Sequence, residues 1–266
     1  MPLPGIEYAG ATDVGLRRSH NQDAYSVLLA KDRASWKRQG HVFLVADGMG
    51  GHRAGERASA IAVAAIEQFT LNTFRWFFAS DSPGAQKVLA QFQSALSQAD
   101  AKILEEATEN PELHGMGTTL TMAFQLGAQL CIVHVGDSRA YLYRAGRLHQ
   151  LTQDHTVVAE LVRAGTIRPD EAAGHPLRHV ITNVVGGPTL GVKVEARAFE
   201  VQAGDRLLLC SDGLTEMVTN DAIAKTLDSE SEPEAAAKAL LAQANDGGGR
   251  DNISIVIVRF DPAAFS

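Results

Sequence analysis

Four aspartates stand at the borders of apolar runs in this chain: Asp47 after VFLVA, Asp137 after LCIVHVG, Asp212 after RLLLCS, and Asp251 just before NISIVIV. Taken singly, an aspartate beside Gly or Ser is ordinary turn chemistry, because its carboxylate hydrogen-bonds nearby backbone. As a set they say more. Strands that enter and leave a sheet at the same edge, running antiparallel, would bring all four carboxylates to one rim. Two unit charges ~5 Å apart repel by about 3 kcal/mol at an effective dielectric of ~20, so such a rim calls for cations. Hard oxygen donors suit magnesium or manganese. Two such ions about 3.5–4 Å apart activate a shared water and clamp the oxygens of an in-line displacement, which fits hydrolysis of a phosphate ester. That chemistry also wants a cation on the non-reacting oxygens, where the fork of Arg serves better than Lys.

Apolar runs of strand length are Val42–Ala46, Leu120–Phe124, Leu130–Val135, Ala140–Tyr143, Leu207–Cys210 and Ile253–Val258, most of them bounded by Gly, Asp or Asn. Between the first two lie two stripes of helical period. Ala58, Ile61, Ala62, Ala65, Ile66 and Phe69 form one, and Val88, Phe92, Leu96, Ala99 and Ile103 the other. Phe78–Gln86 between them reads as a loop. Ser231 and Glu234 fit a capping box with Pro233 in the first turn, which predicts a third long helix running to Ala244. This order does not alternate as parallel βαβ units would. It predicts an α+β fold in which antiparallel sheets carry helices on the outside. His155–Gly187 has short helical pieces and three histidines but no strand-length apolar run, and reads as an inserted subdomain.

The chain has 266 residues, 45% of them hydrophobic, enough to bury a full core, and no Pro/Ser-rich or Gly/Ser-rich linker divides it. A single domain over 1–266 is expected. The formal charge of −7 argues against nucleic acid, whose backbone rewards clustered Lys and Arg. Cys131 and Cys210 lie within apolar runs and read as buried thiols. MPLPGIEYAGATDVG lacks the basic start and apolar stretch of a signal peptide, and no uncharged apolar run approaches the ~18 residues of a membrane span. The expected location is cytoplasmic.

Seven motifs in order, TDVGLRRSHNQDAY, FLVADGMGGHRAGERAS, GMGTTL, VHVGDSRAYLYRAGRLHQLTQDHT, HPLRHVITNVVGG, LCSDGLTEMV and GGGRDNISIVIV, resemble the metal-dependent protein Ser/Thr phosphatases of type 2C, especially their bacterial branch. The likeness runs from about Ala11 to Val258. It implies a central antiparallel β-sandwich flanked by helices on both faces, with metals in a cleft at one rim. It implies hydrolysis of phosphoserine and phosphothreonine on proteins with two to three divalent ions, Mn2+ or Mg2+, opposing a bacterial Ser/Thr kinase. Residue by residue, Asp47 resembles the carboxylate bridging both catalytic ions, and Gly48 would offer its carbonyl to one of them. Asp212 and Asp251 would complete the other's shell, and Asp137 with Asp212 matches a third, weaker site. Arg18 matches the phosphate-binding arginine, Asp23 an outer carboxylate that orients a metal-bound water, and Asn252 a supporting hydrogen-bonder. The segment 155–187 matches the family's flap.

Some positions depart from the family pattern. Gln22 stands where many relatives have Glu, which affects a water-mediated metal contact. Met49 replaces a histidine that eukaryotic members carry as a proposed general acid, and Asn183 an arginine frequent after the flap. The third glycine that a phosphate-cradling G-x-G-x-x-G loop needs is Arg53, so DGMGG reads as tight turns. His41 and His134, at or in apolar runs, read as structural; His155, His175 and His179 belong to the flap and read as packing or surface groups. His52 is a candidate outer contact of the metal loop. Two other readings keep the fold: a phosphoprotein-binding pseudophosphatase, which the intact aspartates disfavour, and a phosphatase of an anti-sigma antagonist pathway, a branch that usually carries sensor domains.

Overall fold

The computed structural model describes residues 5–30, 40–51, 53–77, 85–187 and 191–262. The chain opens with strands β1 (Ile6–Asp13), β2 (Asp23–Leu28) and β3 (His41–Met49), followed by the helix pair α1 (Arg53–Phe77) and α2 (Ala85–Glu109). Five strands come next: β4 (Gly117–Thr118), β5 (Leu120–Leu126), β6 (Gln129–Val135), β7 (Arg139–Arg144) and β8 (Arg147–Gln150). Two short helices, α3 (Val157–Arg163) and α4 (Pro169–Ala172), lie in the flap segment. The chain then forms β9 (Val185–Gly186), β10 (Glu195–Glu200) and β11 (Arg206–Cys210). It ends with α5 (Asp212–Thr215), α6 (Asn220–Ser229), α7 (Pro233–Asp246) and β12 (Ile253–Phe260).

These strands build two antiparallel sheets. One has the order β1–β12–β11–β7–β8; the other has the order β10–β6–β5–β3–β4–β9, with β2 also paired to β3. The two-residue alternation of side chains explains the layering. Phe43 and Val45 of β3, Leu207 and Leu209 of β11, and Val256 and Val258 of β12 meet in the core between the sheets. Their neighbours point outward. Val42, Leu44 and Ala46 pack under Ala58, Ile61 and Ile66 of α1 and Phe92, Leu96 and Ile103 of α2. Leu208, Cys210, Ile255 and Ile257 pack under Ile223 and Leu227 of α6 and Ala236 and Leu240 of α7. Burying each large side chain stabilises the fold by about 1.5–3 kcal/mol. These strands are apolar on both faces because helices cover what the opposite sheet does not.

The six predicted strands are present, each a little longer than its apolar run. The predicted pattern misses β1, β2, β4, β8, β9 and β10, which are very short or carry too little continuous apolar signal; β1 and β10 are also edge strands with much of their length exposed. The helix at Pro233 forms and extends to Asp246, but without the Ser231 capping box. Its N-cap is Glu232 with no side-chain cap bond. Arg259 of β12 instead donates to the Ser231 carbonyl and to Glu232 Oε1, both at 3.1 Å. The expected loop 78–86 ends earlier, since Ala85 and Gln86 already belong to α2. Residues 78–84 and His52 lie outside the described residues. No helix among the described residues is long and apolar enough to cross a membrane.

Candidate metal centre

Strand β11 runs antiparallel to both β7 and β12, so the end at which it leaves the sheet is the end at which they enter. Asp212, first residue of α5, therefore lies at the same rim as Asp137, two residues before β7, and Asp251, two residues before β12. In the other sheet Asp23 opens β2 directly opposite Asp47 in β3. Like charges in that cross-strand position are destabilising unless something neutralises them. Asp47 does not lie beyond its strand, as the apolar run suggested. Strand β3 continues to Met49 because Gly48 and Met49 pair with Thr118 and Gly117.

The GMGTTL segment explains why Asp47 is held so firmly. Its N–H donates to Thr119 Oγ1 at 3.0 Å, and its carbonyl accepts from the Thr119 N–H and Thr118 Oγ1, each at 2.9 Å. Gly48 is crowded: a Cβ there would lie 2.1 Å from the Gly55 carbonyl oxygen and 2.5 Å from that of Gln22. Only glycine lets the start of α1 approach the turn so closely.

Burial and mutual repulsion disfavour charge on these groups in the protein alone. Burial, then Asp23, Asp212 and Asp137, push the Asp47 carboxyl well above its usual range. Asp212 is raised likewise by burial, then by Asp137, Glu216 and Asp251. Burial lifts Asp137 to about 7 and Asp23 to about 6, the latter against hydrogen bonds that favour its charged form. Asp23 Oδ1, Asp137 Oδ1 and Asp212 Oδ1 are buried without a hydrogen-bond partner. Orphaned, converging carboxylate oxygens are the donor set that a hard divalent cation satisfies. Among the described residues no three acidic or imidazole groups already close on one point as a finished ligand shell.

The loop bearing Arg18 is tied to β12 by backbone and by Asn252. Leu16 and Arg17 N–H groups donate to the Gly249 carbonyl at 2.7 and 3.2 Å. Asn252 Nδ2 donates to the Val14 and His20 carbonyls, both at 2.9 Å, while its Oδ1 accepts from the Gln22 N–H at 2.8 Å. Asn252 thus positions the loop. Gln22 Nε2 donates to the Gly50 carbonyl at 2.9 Å, so this side chain braces the glycine turn. Arg18 Nη2 lies 2.7 Å from Asp251 Oδ2, with about half of its side chain exposed. Its guanidinium stands at the rim with edges still open to solvent.

Two contributors, Ser211 and Glu216, are not singled out by the sequence. Ser211 Oγ donates to Asp23 Oδ2 at 2.7 Å and so links the two sheets at the rim; its place before Asp212 in LCSDG was the only hint. Glu216 follows α5 and faces Asp137 and Asp212 electrostatically, while His179 of the flap approaches its Oε1 at 2.7 Å. His155 is buried at the root of the flap. Its Nδ1 accepts from the Gly136 N–H at 3.0 Å, and its Nε2 lies 3.3 Å from Glu195 Oε1. Asn183 closes the flap's other root: Nδ2 donates to the Lys193 carbonyl at 2.7 Å, and Oδ1 accepts from the Lys193 N–H at 3.1 Å. His41 and His134 are buried and hydrogen-bonded, as expected of structural histidines.

A family model for protein phosphatase 2C matches residues 16–244. The serine/threonine protein phosphatase PstP of Mycobacterium tuberculosis is 38% identical over 256 residues, which are 95% of this chain and 44% of that protein. The chain thus spans less than half the length of that relative. The serine/threonine phosphatase stp of Listeria monocytogenes is 36% identical over 252 residues, 94% of each chain. A crystal structure of the PstP catalytic domain in complex with two manganese ions superposes with a TM-score of 0.78 at 35% identity, covering 97% of this chain and 99% of that one. Sequence agreement over most of the chain and superposition over nearly all of it lead to one conclusion: the chain belongs to the protein phosphatase 2C family.

Proposed function

We propose that this chain is a metal-dependent protein serine/threonine phosphatase that hydrolyses phosphoserine and phosphothreonine esters. The observation that carries the reading is the pairing of Asp23 with Asp47 at a rim where Asp137, Asp212 and Asp251 also arrive, with three of their oxygens orphaned. Two to three divalent ions, Mn2+ or Mg2+, fit that donor set. Asp47 and the Gly48 carbonyl would hold one, Asp47 with Asp212 and Asp251 the other, and Asp137 with Asp212 a third. When bound, such ions activate water against phosphorus and stabilise charge on the phosphoryl oxygens.

The remaining work falls to the chain's own groups. Arg18 presents guanidinium N–H groups beside Asp251 and binds the non-reacting oxygens of the substrate phosphoryl group. Asp23, fixed by Ser211, accepts a hydrogen bond from the attacking water and orients it. Asn252 and Gln22 keep the Arg18 loop and the glycine turn in register. Met49 offers no proton to the leaving alkoxide, so solvent at the rim supplies it. The unit runs through 1–266 with the flap at 155–187, and it acts in the cytoplasm on proteins modified by a Ser/Thr kinase.

Release of phosphate from a phosphothreonine peptide tests the proposal. Turnover is expected with Mn2+, loss of it after chelation, and recovery on adding the ion back. Binding of the peptide with no release under any divalent ion would favour the pseudophosphatase instead.

A further inference from the structure

A cleft of about 860 Å³ runs from the rim along the face of the flap. Asp137 and Asp212 stand at its metal end, and Arg163, Arg178 and Arg250 line it. These arginines come from three separate places: the last turn of α3, the flap beyond α4, and the residue just before Asp251. All three are exposed. Arg178 and Arg250 have no ion pair or side-chain hydrogen bond among the described residues, and Arg163 reaches only the Asp154 carbonyl at 3.4 Å.

The other charges of the cleft are already engaged. Arg139 binds Asp154 through three contacts of 2.6 to 3.1 Å, His179 faces Glu216, and Asp137 and Asp212 belong to the metal rim. What is left over is cationic, in a chain whose net charge is −7. Guanidiniums without partners do nothing for packing, but in a concave site their field is focused and their donors are free for an oxyanion. Nucleic acid is a poor fit, since three cations in an acidic protein neutralise too few phosphates. The scissile phosphate already has Arg18.

We propose that Arg163, Arg178 and Arg250 form an anion subsite that selects phosphorylated protein segments bearing a second anionic group, either another phosphoryl group or Asp/Glu side chains, near the scissile residue. This rests on the phosphatase reading above. The subsite spans the flap and the core.

The test uses the full chain with Mn2+ and three phosphothreonine peptides. One has neutral flanks, one has Asp/Glu flanks, and one carries a non-hydrolysable phosphonate analogue of phosphoserine; p-nitrophenyl phosphate is the control. The anion-flanked peptides are expected to exceed the neutral one by about tenfold or more in kcat/KM, mainly through KM, with the gap closing at high salt. In R178A/R250A, and further in R163A/R178A/R250A, the gap should shrink to within about twofold while p-nitrophenyl phosphate turnover is retained. The phosphonate and carboxylate arms show which anion the subsite prefers. Equal wild-type rates on all peptides, or a preference that survives in the triple variant, would overturn the subsite and leave the phosphatase intact. If the wild type releases phosphate from none of them, the phosphatase reading fails. Calorimetric binding of the same peptides to wild type and triple variant then decides the subsite separately.

Discussion

The metal rim and the flap are neighbours built in opposite ways. The rim is made from the ends of central strands, and its geometry follows from hydrogen-bond register: Asp23 is opposite Asp47 because β2 pairs with β3, and Asp212 meets Asp137 and Asp251 because β11 lies antiparallel between β7 and β12. Moving one of these carboxylates means moving a strand packed on both faces. The flap has two short helices and few buried side chains, and it is tied down by a handful of polar links: His155 and Asn183 at its roots and His179 to Glu216 across the cleft. Rigid geometry is thus concentrated where chemistry needs it, and tunable contacts where a substrate must be recognised.

Breaking the rim should have the largest effect. Asp47→Asn should cut turnover on a phosphothreonine peptide below about a tenth of wild type in saturating Mn2+, since one substitution weakens the hold on two ions. The same variant should melt at a higher temperature than wild type in chelator, because burial and the neighbouring carboxylates make the charged form of Asp47 costly without metal, a cost that Asn does not carry. Normal turnover would dissolve the assignment of Asp47, and a lower melting temperature would point to lost structure instead.

Arg18→Ala acts at the edge of the rim. Loss of a charge-assisted contact of about 1.5–3 kcal/mol should raise KM for phosphopeptide by about tenfold or more and weaken inhibition by phosphate, with a smaller change in kcat. An unchanged KM would make Arg17 the candidate clamp.

The flap offers the converse experiment. Replacing residues 155–187 by a relative's flap should alter preference among phosphoproteins while p-nitrophenyl phosphate turnover changes only a few-fold. Loss of both activities in a folded chimera would erase the distinction between the two regions.

The last effect concerns acid stability and rests on two buried histidines, His41 of β3 and His134 of β6. Burial lowers His134 to about 3 and His41 to about 4, whereas an unfolded chain protonates histidine near 6.5. Below that value the unfolded chain binds more protons, so this contribution is complete above pH 6.5 and is lost as pH falls toward 4 and then 3. The loss is about 1.4 kcal/mol per pH unit for each histidine. Urea unfolding of metal-free His134→Gln between pH 7.5 and 4.5 should show a shallower decline than wild type. Parallel declines would mean that His134 does not stay neutral in the folded protein.

Much of this protein could be read from one-dimensional pattern. The apolar runs marked the central strands, and the stripes through Ile61 and Phe92 marked the covering helices, because period is a local property of the chain. The border positions of Asp47, Asp137, Asp212 and Asp251 were equally local. What sequence could not supply was anything that depends on which strand lies beside which. The opposition of Asp23 and Asp47, the Ser211 bridge between sheets, and the Thr118–Thr119 grip on Asp47 join residues up to 188 positions apart. The same holds for Arg163, Arg178 and Arg250: as a string they form no basic cluster, and the charge count argued against one. They share a cleft only because the flap folds back over the rim, and long-range pairing of this kind is decided by the packing of whole layers rather than by any residue's own preference.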